Sequence, residues 1–258
     1  AGGCRQGGGE LYGAVPGGAA EAAAREARER CGEGGGMIAN DVLFSTFVNS
    51  IIIRSVIRSG ERAMVTINPQ RIFGRWKSGW ALDLHTISSV PLGHNEAGHM
   101  QFETIRPEIA ELLYKLKYKG DDKAAAPIIE AAAAFVFPHK QLFDFFIPVP
   151  PSSPRLRQPV TILAHGISMS LGIPLLDCIE TTRETTPLKG VADVQSRKAL
   201  VDGLYTVRAR ILAGKQVLLF DDLFRSGTTM NAITDALYDQ GRAQTVYALT
   251  ITKTRSNQ

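Results

Sequence analysis

The sequence predicts an α/β fold over residues 101–258, a mostly parallel sheet with helices on both faces. Two observations predict it: short apolar runs typical of buried strands alternate with segments of helical periodicity, and glycine or proline separates most of them. With 258 residues and 44% apolar content, the chain can bury a full core. A small β-rich addition is predicted in front of this fold.

The N-terminal part is expected to form two segments. Residues 1–63 hold glycine- and alanine-rich runs that predict disorder, and an apolar stretch that is short for a membrane span. We expect them to be a disordered or non-native upstream extension, with the functional protein beginning at Met37 or Met64. Residues 64–100 alternate apolar and polar residues around glycine and proline, which predicts a hairpin or small sheet.

The predicted elements of residues 101–258 follow in order. EIAELLYKLKY has helical spacing, and the next helical segment, DDKAAAPIIEAAAAF, is expected to kink or break at Pro127. LFDFFIPVPPSS predicts a short buried strand ended by prolines. A helix (QPVTILAHGISMSLG), two strands (IPLLDCI and KQVLLF), a helix (TTMNAITDALYDQG) and a strand (QTVYALTITKT) complete the pattern.

Composition narrows the classes of protein. The three cysteines lack the spacing of a disulfide framework or a zinc site, which favours a reducing, cytoplasmic compartment. A net charge of +4 suits anionic partners in general, without selecting nucleic acid, and no membrane association is predicted. Neither a P-loop nor a dinucleotide-binding glycine motif occurs. His94 and His99 lack the spacing of metal ligands, so no protein metal site is predicted.

The stretch VLLFDDLFRSGTT carries the strongest functional signal. Asp221 and Asp222 follow a predicted strand over 216–220, and open α/β sheets bind ligands at the carboxyl ends of their strands. A hydroxyl-rich helix start comes next, where unpaired N–H groups suit a phosphate. Its residues are Ser226, Gly227, Thr228 and Thr229. Because carboxylates repel phosphate, we expect the acids to bind ribose hydroxyls; solvated acids in an ordinary turn are the alternative.

VLLFDDLFRSGTT resembles the phosphoribosyl pyrophosphate signature of type I phosphoribosyltransferases. Three further segments resemble the ComF-like family in the same order: ELLYKLKYKGD, IPVPPSSPRLRQPVTILAHGISMSLGIPLL and TPLKGVADVQSRKALVDGLYTV. The resemblance covers residues 111–253, and the chain departs from the family in lacking its four-cysteine zinc element. It implies Mg²⁺-dependent displacement of pyrophosphate from phosphoribosyl pyrophosphate by a nitrogen nucleophile, with Mg²⁺ bound mainly through that substrate.

The resemblance also implies roles for particular residues. Asp221 and Asp222 would be the catalytic acids that bind the ribose hydroxyls, and Arg225 through Thr229 would surround the 5-phosphate. The PVPPSSPR turn would meet the pyrophosphate through Arg155. The polar stretch 180–200 is long enough to predict a lid, with an unconstrained surface loop as the alternative. Its cations would face the departing pyrophosphate: Arg183, Lys189 and Arg197.

Two other functions stay open at this point. The fold could bind phosphoribosyl pyrophosphate or a nucleotide as a sensor, without turnover. A ComF-like protein could also be an accessory in DNA uptake, although we interpret the lysines of YKLKYK as a solvated helix flank. The acceptor of the transfer is not predicted, because acceptor-binding residues lie on variable loops.

Overall fold

A five-stranded sheet lies at the centre of the structure, a computed structural model that describes residues 65–151, 158–183, 201, 203–208 and 210–255. These residues belong to the unit Ile52–Gln258. The expectations for residues 1–63, including a start at Met37 or Met64, fall outside the described residues.

The described strands are, in chain order, β1 (Gln70–Arg71), β2 (Ser78–Leu84), β3 (Ser88–His94), β4 (Met100–Ile105), β5 (Phe145–Pro148), β6 (Ile179–Thr181), β7 (Tyr205–Val207), β8 (Gln216–Phe224) and β9 (Thr245–Lys253). The central sheet has the order β1-β2-β9-β8-β5. Strands β2, β9, β8 and β5 pair in parallel, and β1 is an antiparallel edge. The predicted α/β class is therefore confirmed.

The described α-helices are α1 (Glu108–Tyr114), α2 (Ala125–Val136), α3 (Pro159–Leu171) and α4 (Thr228–Asp239). Helix α4 packs Met230, Ile233 and Leu237 into a core with Val217 and Leu219 of β8. Helices α1 and α3 pack against the opposite face of the sheet, and α2 packs against α3 and α1. Strand β8 is buried on both faces, which explains its unbroken apolar run.

The sheet crosses the boundary that the sequence suggested at residue 100. Strands β1 and β2, both inside residues 64–100, belong to the central sheet, so the prediction of a separate β-rich addition there is wrong for them. Within the described residues 65–100, the remaining strand β3 pairs with β4 in a separate hairpin, which exposes large apolar side chains such as Leu92 and Phe102. Sequence alternation could not reveal that β2 pairs with β9 from the far end of the chain.

Two other elements also differ from expectation. Pro127 does not break α2, because it lies in the first helical turn, where no intrahelical N–H bond is lost. The stretch IPLLDCI does not form one strand. It contributes a single bridge, between Leu175 and Phe146, and the start of β6, which pairs with β7.

Two helical turns connect α1 to α2. A π-helix, Lys115–Lys119, continues α1, and a 3₁₀ turn, Asp122–Ala124, leads into α2. Among the described residues, no helix combines the length and apolar character that a bilayer crossing requires.

Candidate functional site

The carboxyl ends of β2, β9 and β8 meet at one edge of the sheet. His85 follows β2, and its N–H donates to the carbonyl of Lys253 at 2.7 Å. Thr254 follows β9, and its N–H donates to the carbonyl of Phe224 at 2.9 Å. This edge is where ligands bind in open α/β sheets.

Asp221 and Asp222 lie inside β8, near its end, because the strand continues to Phe224 instead of stopping at Phe220. Successive side chains of a strand point to opposite faces. Asp221 shares a face with Leu219, which packs against α4, whereas Asp222 ion-pairs with Lys117 on the opposite side. The two carboxylates therefore meet different surroundings.

Asp221 lies beside Tyr205 of β7 and is partly buried. Its Oδ1 accepts a hydrogen bond of 2.8 Å from the N–H of Asp222. Burial, and next the charge of Asp222, raise the pKa of Asp221 to about 8. A carboxyl with so high a pKa can hold a proton near neutral pH and donate a hydrogen bond as well as accept one.

Asp222 is one of the few buried acids of the described structure, with 7% of its surface exposed. Its Oδ2 lies 2.8 Å from Nζ of Lys117, whose side chain is 13% exposed. The interpretation of Lys117 as part of a solvated helix flank is wrong. The π-helix explains the difference, because it departs from regular α-helical spacing and turns Lys117 inward while Lys115 and Lys119 stay exposed.

His85 is linked to the backbone of Asp222 on β8 through the side chain of Thr252. Its Nδ1 lies 3.1 Å from Oγ1 of Thr252, and the Thr252 hydroxyl donates to the carbonyl of Asp222 at 3.4 Å. Burial, followed by the charges of Lys117 and Arg106, lowers the pKa of His85. The imidazole is therefore predominantly neutral at pH 7. Sequence reasoning missed both His85 and Lys117, since no pattern marks a contact between distant segments.

The loop before α4 has the geometry of an anion site. Gly227 precedes the helix at φ +73°, and within the described chain no side chain caps the first turn. The exposed hydroxyls of Ser226 and Thr228 lie 2.9 Å apart, and the hydroxyl of Thr229 hydrogen-bonds Tyr205. Free N–H groups, the helix dipole and neighbouring hydroxyls together suit a phosphate.

Packing fixes the shape of this loop from behind. A Cβ on Gly227 would lie 2.9 Å from the ring of Phe224 and 3.3 Å from Nδ2 of Asn231. Phe224 in turn meets the edge of Trp76, with ring centroids 6.0 Å apart. The indole N–H of Trp76 donates to the carbonyl of Ile72 at 3.1 Å. The loop therefore rests on Phe224, which is partly buried, and behind it on the buried ring of Trp76.

A cavity of about 540 Å³ adjoins the loop and is lined by Ser226, Thr228 and Tyr205, among others. Arg75 forms another part of its wall. The Arg75 N–H donates to Oδ1 of Asn231 at 2.8 Å, and its guanidinium pairs with Asp235 at 2.9 Å. The cavity gives a ligand held at the loop additional room along the surface of α4.

The structure describes only one of the four residues that are predicted to contact pyrophosphate. Arg155, Lys189 and Arg197 lie outside the described residues. Arg183 follows β6, where the neighbouring Thr182 N–H donates to the carbonyl of Leu204 at 2.8 Å. The roles of these four residues stay predictions.

A metal ion would have to rely on oxygen ligands at the end of β8. The described ranges contain no group of three or more histidine, cysteine, aspartate or glutamate side chains placed to hold a metal. Mg²⁺ usually binds one or two carboxylates and takes its other ligands from substrate phosphates and water. Asp221, half-buried at the sheet edge, fits that donor set.

Comparisons with known proteins give only distant likenesses. No protein-family model and no curated protein match the chain. One similar solved structure is a hypothetical protein from Neisseria gonorrhoeae with bound ppGpp, at 16% identity and a TM-score of 0.34, covering 53% of this chain and 73% of that one.

Two other similar structures are enzymes. One is an allosteric regulatory enzyme of purine biosynthesis, at 20% identity and a TM-score of 0.39, covering 61% of this chain and 34% of that one. The other is the UMP synthase of Leishmania donovani, at 17% identity and a TM-score of 0.32, covering 62% and 27%. The chain thus spans about a third or less of the length of both enzymes.

Proposed function

We propose that the chain is a phosphoribosyltransferase that uses phosphoribosyl pyrophosphate and transfers its ribose phosphate to a nitrogen nucleophile. The observation that carries the proposal is the junction of β8 and α4. Two carboxylates at the end of a buried parallel strand stand directly before an uncapped helix start with a left-handed glycine. That order separates a site for hydroxyl donors from a site for a phosphate.

The 5-phosphate binds the N–H groups and hydroxyls from Arg225 to Thr229. Each charge-assisted hydrogen bond contributes roughly 1.5–3 kcal/mol, so a few of them anchor the phosphate end of the ligand. The ribose hydroxyls donate to the carboxylates of Asp221 and Asp222. With both ends held, the anomeric carbon has a fixed position, and positioning alone lowers the barrier to substitution.

The transfer exchanges one bond for another at the anomeric carbon. The nitrogen lone pair forms the C–N bond as the C–O bond to pyrophosphate breaks with its electron pair, and the proton of the nitrogen passes to the released pyrophosphate or to water. Mg²⁺ bound with the substrate would neutralise charge on the departing pyrophosphate. The cations Arg155, Arg183, Lys189 and Arg197 are proposed to act on the same group, and the stretch 180–200 to form a lid over it.

The proposal includes a ComF-like assignment over residues 111–253 and a cytoplasmic location. It rests on the sequence motif and on the junction of β8 and α4. The first test is calorimetric binding of phosphoribosyl pyrophosphate with Mg²⁺. Replacing Asp221 and Asp222 together by asparagine should weaken binding roughly 10²- to 10⁴-fold, the worth of two charge-assisted hydrogen bonds. Glu96→Gln, on the exposed turn between β3 and β4, is the charge-loss control.

Unchanged affinity in the double variant would refute the site. Pyrophosphate release, assayed across common bases and amines, then separates a transferase from a sensor that binds without turnover. Single-stranded DNA binding near physiological salt, together with weak binding of phosphoribosyl pyrophosphate, would favour the accessory role in DNA uptake instead.

A further inference from the structure

The ion pair between Lys117 and Asp222 is unlike an ordinary surface pair. The two side chains are 13% and 10% exposed, and their charged atoms lie 2.8 Å apart. Removing two charges from water is costly, so stabilisation of the fold alone does not explain a buried ion pair. It lies instead at the carboxyl end of β8, inside the proposed ribose site.

The backbone around Lys117 is also unusual. The π-helix Lys115–Lys119 ends at Gly120, whose φ of +66° closes the turn. Of its three lysines only Lys117 is turned inward, and the other two are exposed. π-Helical turns are rare and often occur at functional sites.

Asp222 is held from two directions. Lys117 fixes its carboxylate through Oδ2, and the Thr252 hydroxyl binds its main-chain carbonyl at 3.4 Å. A carboxylate can accept about four hydrogen bonds. The ion pair therefore orients the carboxylate of Asp222 and leaves acceptor positions for a ligand.

We propose that Lys117 is a positioning residue for ribose recognition: it holds Asp222 as an oriented acceptor for a sugar hydroxyl. The inference rests on the proposed function and adds a residue that its sequence motif does not contain. In this role Lys117 acts through Asp222, and the phosphate remains bound at the start of α4. Loss of Lys117 should therefore weaken binding of the sugar more than binding of the phosphate.

The test compares two probes, ribose 5-phosphate and inorganic phosphate, by calorimetry or ligand NMR. Lys117→Met keeps most of the aliphatic stem and removes the charge, and Lys115→Met is the matched control from the exposed side of the same π-helix. In Lys117→Met we expect about a ten- to hundredfold loss of affinity for ribose 5-phosphate, the worth of one charge-assisted hydrogen bond. The affinity for phosphate should change less than about threefold, and Lys117→Arg should recover part of the loss.

A second variant keeps the test valid if Lys117→Met fails to fold, since a lone buried carboxylate is destabilising. Lys117→Met combined with Asp222→Asn leaves neither charge unpaired, and it should lose the preference for ribose 5-phosphate as fully as Asp222→Asn alone. An equal loss for both probes, or an unchanged preference, would overturn the positioning role and leave the proposed function intact. If the unaltered protein binds neither ribose 5-phosphate nor phosphoribosyl pyrophosphate, both proposals fall.

Discussion

Thr250 lies directly beside Asp221, as its register partner on the adjacent parallel strand β9. The Thr250 hydroxyl is buried, and no described residue forms a hydrogen bond with it. An unpaired buried hydroxyl costs free energy. Thr250 lies next to an acid of the proposed site, so replacing it tests whether its unpaired hydroxyl lowers the stability of the protein there.

Replacing Thr250 by valine should raise the free energy of unfolding by about 1 kcal/mol. The substitution keeps the shape of the side chain and removes a polar group that lacks a partner. Thr234→Val is the matched control: its equally buried hydroxyl donates to the carbonyl of Met230 at 2.7 Å, so its loss should be destabilising. Urea denaturation of both variants measures the effect, and a destabilised Thr250→Val protein would contradict it.

Gly227→Ala should destabilise the protein and weaken phosphate binding. Its left-handed backbone costs an alanine roughly 1–2 kcal/mol, and the new Cβ would also press on the ring of Phe224. Gly214→Ala is the matched control, because Gly214 has the same φ of +73° but open space around its Cβ position.

The difference between the two glycine variants isolates the effect of the contact with Phe224. Thermal unfolding with and without phosphate measures it. Equal losses of stability and unaltered phosphate binding in both variants would show that Gly227 matters only for its backbone.

Asp221 should make the stability of the protein depend on pH in a defined direction. Its pKa is raised from 3.8 to about 8 in the folded state, chiefly by burial. The folded state therefore holds this proton more tightly than the unfolded state, so the contribution is full below about pH 4 and is lost as pH rises toward 8.

Asp221→Asn should remove that dependence. Relative to the unaltered protein, the variant should gain up to about 4 kcal/mol of unfolding free energy between about pH 5 and pH 9, since each of the three pH units from 5 to the folded pKa of about 8 corresponds to about 1.4 kcal/mol. Denaturation curves at the two pH values give this difference. Parallel pH profiles for the two proteins would mean that Asp221 titrates normally.

A comparison of variants at Trp76 and Trp80 should distinguish support of the phosphate-binding loop from a general contribution to core packing. Both are 5% exposed, but Trp76 meets Phe224 behind the loop whereas Trp80 meets Phe135 of α2. Trp→Phe at either position should cost about 1–3 kcal/mol of stability, as a smaller side chain leaves unfilled volume. Only Trp76→Phe should also weaken phosphate binding, and equal binding by both variants would argue against the support.

The sequence predicted structure correctly where a feature depends on one segment alone. The apolar run of β8 predicted a buried parallel strand, and Gly227 with its hydroxyl neighbours predicted a helix start. Those features depend on local periodicity and on backbone freedom at one residue.

The sequence was less informative wherever a distant segment decides the environment. Lys117 looks like any lysine of a solvated helix, and only the folded sheet brings Asp222 to it. The pairing of β2 with β9 is equally invisible, because the apolar pattern of a strand does not tell which other strand it pairs with. The surroundings of the two adjacent acids could not be predicted either, because the pleat of β8 sends their side chains to opposite faces, where different segments pack.

Strand β9 is synthesised after both of its neighbours in the sheet, β2 and β8, and it lies between them. On the ribosome, β2 and β8 therefore cannot be joined into one sheet until β9 emerges. Until then each presents an unpaired edge, one of the features that make a nascent chain prone to aggregation. Closure of the sheet, and with it assembly of the proposed site, therefore waits for the last of the described strands.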